Sequence, residues 1–183
     1  MQLLDLVGDA VARHQAPDGE HRHPVGDLQV AALDVAGHAR GDHGADDPGI
    51  EFRIRRQQAL TQEEPLPYTS ILDEATLHRA VGGPEAMRAQ LAHLLDLSHR
   101  SNVTLRVLPF TTGAPASPEG SFALFTMPEP FPDVAQINTE AGAIYVEMPE
   151  AERFDEAYTR LEHDALDVDA SRAFVKDRME QLE

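Results

Sequence analysis

Residues 72–110 read LDEATLHRAVGGPEAMRAQLAHLLDLSHRSNVTLRVLPF, and this stretch decides the fold because signals for strand, helix and strand follow one another without conflict. A short apolar run (Tyr68, Ile71, Leu72) closes at Leu72-Asp73-Glu74. Gly82-Gly83 supplies a turn, Pro84 occupies a first helical position, and Glu85 behind it complements the helix dipole. Met87, Leu91, Leu94, Leu95 and Ser98 then fall on one stripe, which predicts an amphipathic helix over 84–99. Asn102 ends that segment. Val103, Leu105 and Val107 alternate with Thr104 and Arg106, as a strand requires.

Outward from this unit, residues 111–119 form a loop with Gly113, Pro115 and Pro118, and 121–127 (SFALFTM) is apolar on both faces, the pattern of a central strand. Pro128, Pro130 and Pro132 make a rigid loop. Two strands, 134–139 and 143–148, are joined by Glu140-Ala141-Gly142. Pro149-Glu150 opens a helix with Phe154, Ala157, Tyr158, Leu161 and Ala165 inward, and Asp169 is expected to cap a last helix carrying Val175, Met179 and Leu182. The fold class expected is α+β: a mixed sheet of about five strands packed with three or four helices. The 68–73 and 103–109 strands should run parallel across the crossover helix, and the later strands antiparallel because their connections are short.

The first 49 residues differ in character. They hold His14, His21, His23, His38 and His43 among frequent glycine, proline and aspartate. Residues 1–12 suit a short helix and 28–36 a short helix or strand; the remainder is too poor in apolar surface to offset its ordering entropy. The organisation expected is therefore a mostly irregular segment over 1–49 and a folded domain over 50–183.

Composition narrows the function. The 183 residues carry 32 acidic against 15 basic side chains, a formal charge of −17, and a single lysine, Lys176. Phosphate backbones repel such a surface, so direct nucleic-acid binding is not expected. Cysteine is absent, which removes disulfides, thiolate catalysis and cysteine zinc sites. No apolar run approaches membrane-spanning length and no secretion signal opens the chain, so the expected location is cytoplasmic. The N-terminal histidines lack a frame that would hold a metal. Glu85 makes Gly82-Gly83-Pro84 a structural turn rather than a phosphate cradle. Ser117 and Ser121 lack a nucleophile elbow. No catalytic residue, metal or cofactor is assigned.

The phrases Arg56-Gln57-Gln58-Ala59-Leu60, Leu72-Asp73-Glu74-Ala75, Val81 through Arg88, Gln90-Leu91, Asn102-Val103-Thr104, Val107 through Phe110, Gly120-Ser121-Phe122 and Ala143-Ile144-Tyr145 carry a resemblance. In their order and spacing they resemble the C-terminal domain of unknown function of actinomycete regulators of the XRE helix-turn-helix class, also described as antitoxin-like regulators of the Scr type. The resemblance implies a non-enzymatic regulatory domain that binds a small partner protein encoded nearby, with DNA contact delegated to a helix-turn-helix. No helix-turn-helix is recognisable in 1–49; a truncated member and an out-of-frame start both account for that. The positions expected to meet a partner or ligand are Asp73, Glu74, Phe110, Phe131, Glu140 and Tyr145. A homodimer stays open, as do two other functions: a small-molecule sensor with a pocket lined by Tyr145 and Phe122, and a metal-dependent hydrolase using carboxylates such as Asp73 and Glu140.

Overall fold

A computed structural model describes residues 28–32, 60–118, 120–127, 130–139 and 142–182, the first of these through its backbone alone. The short helix expected over 1–12, the helix that Ile50, Ile54 and Gln58 predict over 50–60 (all but Leu60), and the turn residue Glu140 lie outside the described residues.

The crossover unit forms as its sequence dictates. Strand β2 (Tyr68–Asp73) is followed by helix α2 (Pro84–Ser98) and strand β3 (Val103–Leu108), and β2 pairs with β3 in parallel from Tyr68↔Val103 to Asp73↔Leu108. Gly83 takes φ +95° as the residue capping α2, and Gly82 before it takes φ +80°, a pair of left-handed positions that side chains rarely adopt. Met87, Leu91, Leu94 and Ser98 are the buried residues of α2. Between β2 and that turn lies helix α1 (Glu74–His78), absent from the sequence reading because five residues are too few to show a period. Its N-cap is Asp73, whose carboxylate accepts from the Ala75 N–H at 2.7 Å.

Strands β4 (Phe122–Phe125), β5 (Val134–Thr139) and β6 (Gly142–Glu147) follow as an antiparallel meander. The parallel pair and this meander do not touch each other through hydrogen bonds. Strand β1 (Leu28–Ala32) joins them, parallel to β2 on one side and antiparallel to β4 on the other, giving the order β3-β2-β1-β4-β5-β6. Of the helix and the strand that 28–36 allowed, the backbone takes the strand.

Helices α3 (Glu152–Asp164) and α4 (Val168–Glu180) complete the chain. Side chains of α2 and α4 meet Tyr68, Leu72, Val103, Leu105 and Val107 in one apolar core. Ala157, Tyr158 and Leu161 of α3 meet Ile71, Phe122, Leu124 and Ala135 in a second. The alternation along each strand places the two cores on opposite faces of the sheet. The cap of α4 differs from the expected Asp169: it is Asp167, whose side chain accepts from the Ala170 N–H at 2.8 Å, and Asp169 sits in the first turn. Among the described residues no helix is long and apolar enough to cross a membrane.

Candidate functional site

Three of the six positions expected to meet a partner come together where β2 and β3 end. Asp73 closes β2 and spends its carboxylate on the cap of α1, while its carbonyl accepts from the Thr76 hydroxyl at 2.7 Å. Glu74 opens α1 with only 15% of its side chain exposed, and both of its oxygens are engaged. One accepts from the Phe110 N–H at 2.7 Å, and the other meets His78 Nε2 at 3.2 Å. A carboxylate at the end of one strand thus fixes the backbone beyond the end of the next, at the first residue of the 3₁₀ turn Phe110–Thr112.

The Phe110 ring turns outward and is 57% exposed. It stacks on the His78 imidazole, with centroids 5.8 Å apart and planes at 23°. The result is an anchored aromatic pair on the surface. His78 is not among the positions expected from sequence; the Glu-x-x-x-His spacing from Glu74 is the signal that could have found it, since residues four apart on a helix face each other.

The other expected positions are elsewhere. Phe131 lies in the β4–β5 connection, at the opposite end of the sheet from Phe110, and is 52% exposed. Tyr145 is half-buried in β6, directly across from Gln136. Glu140 lies outside the described residues. The pocket drawn with Tyr145 and Phe122 as joint lining is corrected by the register. Phe122 pairs with Ile137 and through it with Ile144, whereas Tyr145 shares its row with Gln136 and Ala123. Adjacent rows face opposite sides of a sheet, so the two rings cannot line one cavity. Phe122 is instead 2% exposed and packs on Phe154 at 5.3 Å.

Beside the aromatic pair, the 110–118 segment and α3 border an open groove of about 570 Å³, lined by Ala114, Ala116, Thr159, Arg160, His163 and Asp164. The Thr112 hydroxyl reaches the Asp164 carbonyl at 3.4 Å, tying the segment to the helix end. Ser117, weighed above as a nucleophile, donates its hydroxyl to the Gly120 carbonyl at 2.7 Å and closes a turn.

On the sheet's α3 face, Arg106 donates from its guanidinium to the carbonyls of Leu166 at 2.8 Å and Ala165 at 2.7 Å. Tyr158 is pushed up to about 12, first by burial and then by the Glu162 carboxylate, against the opposing pull of its hydrogen bond with Thr69 and of Arg106. Burial likewise raises Tyr68 to about 12, with its Ser70 hydrogen bond opposing. Among the described residues no three His, Cys, Asp or Glu side chains are grouped to hold a metal ion. Asp73 and Glu74 are thus engaged by backbone N–H groups and the His78 imidazole, and the large side chain left in water at these strand ends is Phe110.

No curated protein and no solved structure matches the chain. One family model does, over residues 26–177, and its span takes in β1, the whole sheet and most of α4. A sheet whose central strand comes from before residue 50 and a family match that begins at residue 26 agree on the extent of one folded unit, and the chain belongs to the family described as a domain of unknown function, DUF5753.

Proposed function

We propose that this chain is a non-enzymatic regulatory domain of an antitoxin-like transcriptional regulator, binding a small partner protein through the surface around Phe110. The observation that carries this reading is the anchored aromatic pair. Phe110 leaves more than half of its ring in water although its backbone is fixed by Glu74 and its face is backed by His78. A rigid exposed aromatic costs little entropy to bind, which is the property of an interface anchor. The charge of −17 with one lysine supports delegation of DNA contact to another module.

The test is co-expression with the small genes that neighbour this one. The expected result is a stoichiometric small protein that co-purifies with the wild-type chain and is lost from Phe110→Ala, with both forms melting alike. Tight, salt-sensitive retardation of duplex DNA by the chain alone would overturn the reading, as would substrate turnover. A second reading, a small-molecule sensor, is favoured by the groove beside the patch, where the Arg160 guanidinium and the His163 imidazole offer hydrogen-bonding groups. A saturable ligand that raises the melting temperature, with no protein partner recovered, would select it.

A further inference from the structure

The two edges of the sheet are finished differently. Along β3, the connection between α3 and α4 lies against the strand. The Leu166 N–H donates to the Val107 carbonyl at 2.8 Å, and the Val107 N–H donates to the Ser171 hydroxyl at 2.9 Å. That edge is covered. At the other edge, β6 pairs only with β5 among the described strands. Alternate residues of such a strand turn N–H and C=O groups outward, a template for another strand. Most of the devices that blunt an edge are missing from β6: it has no lysine and no proline, and its one charge, Glu147, is its last residue, whose carbonyl alone accepts from the Ala151 N–H at 3.0 Å. The row Phe122, Ile137, Ile144 runs apolar from the core to this edge, and Ile144 ends it 53% exposed.

Charge selects the occupant. No lysine, arginine or histidine occurs between Arg106 and Arg153, while Asp133, Glu140, Glu147, Glu150 and Glu152 bracket β6 in the chain. Two copies pairing through β6 would bring two such surrounds together, which like-charge repulsion opposes. A cationic segment meets the opposite field on approach. We propose that β6 accepts an extended segment of a basic partner protein as an added strand. Its alternate apolar or β-branched residues continue the Phe122–Ile137–Ile144 row, and its lysines or arginines lie toward the Glu147 end of β6. The proposal does not depend on the Phe110 surface.

The experiment selects random displayed peptides against the full chain, with Ile144→Lys as the counter-target. That variant keeps the fold because the side chain is half in water, and it places a cation where the partner should meet apolar surface and negative field. Peptides of about twelve residues cover the six-residue strand and its flanks. The expected winners alternate apolar and polar residues, carry net positive charge, and protect β6 amides from exchange. They should bind Ile144→Lys about tenfold or more weakly and lose affinity as salt rises. Winners without net positive charge, amide protection elsewhere, equal binding to the variant or no enrichment at all would each overturn the proposal. So would concentration-dependent protection of β6 by the chain itself, which would identify a second copy as the occupant.

Discussion

Arg106 shows how one side chain ties the termini of several elements together. It points from β3 to the connection behind α3, where it donates to two successive carbonyls, Ala165 and Leu166. Replacing it with Met removes both charge-assisted bonds and should cost roughly 2–3 kcal/mol in urea unfolding. The same change should raise the Tyr158 pKa further, since Arg106 now pulls it down. The two buried tyrosines carry a pH signature of their own. Each is held at about 12 in the folded chain against 10.0 ordinarily, so the unfolded chain releases those protons first. Their contribution is therefore intact below pH 10 and lost as pH rises toward 12, at about 1.4 kcal/mol per pH unit for each tyrosine. Tyrosinate absorbance in a Tyr145→Phe background reports these two alone, and a midpoint near the ordinary value would contradict their burial. Of the site positions, Asp73, Glu74 and Phe110 were readable as strand-end groups because the sequence fixes where β2 and β3 stop. Their hydrogen-bond partners were not readable, because the Phe110 N–H and the Glu74 carboxylate are 36 residues apart and nothing local encodes the contact.

Helix ends separate what local sequence specifies from what it leaves open. The α2 stripe and the Gly82-Gly83-Pro84 start were readable because period and turn chemistry act within a few residues. The start of α4 was ambiguous, since the sequence offers Asp167 and Asp169 two residues apart and either suits a cap. The fold chooses Asp167 by fastening the preceding residue: the Leu166 N–H is held on the Val107 carbonyl, so the helix must begin just after it. Asp167→Ala should then cost about 1 kcal/mol in thermal or urea unfolding. Asp169→Ala should change stability by less than about 0.5 kcal/mol, because its pairing with Arg172 is on a side chain 95% exposed. The reverse order would show that the helix starts two residues later. Ser171 serves β3 rather than its own helix. It is the acceptor for the Val107 N–H, so Ser171→Ala leaves that buried donor unpaired and should cost roughly 1–3 kcal/mol. Faster amide exchange confined first to Val107 would identify the cause.

The six-stranded sheet is two sub-sheets held together by one strand and one helix. Strands β2 and β4 do not pair with each other; β1 lies between them, and across the α3 face Ile71 and Leu108 of the parallel pair share a core with Phe122 and Leu124 of the meander. Composition hid the role of β1, because five residues inside a histidine- and glycine-rich stretch carry too little pattern to reveal that both neighbours depend on them. A central strand needs its N–H groups on both sides, so proline within it removes a ladder bond that no water can replace. Val30, paired with Ser70 on one side and Ala123 on the other, is the midpoint. Val30→Pro should therefore cost about 3 kcal/mol or more, and the form of the loss carries the information. If β1 is what makes the sheet one cooperative unit, amide exchange in the variant should accelerate in β2, β3, β4 and β5 together, and the single urea transition should broaden or split. Leu161→Ala, at the 0%-exposed centre of the α3 core, should cost a comparable roughly 2–5 kcal/mol but retain one transition, because the β1 ladder still couples the two halves. Equal, single sharp transitions in both variants would place the coupling in the α3 core instead.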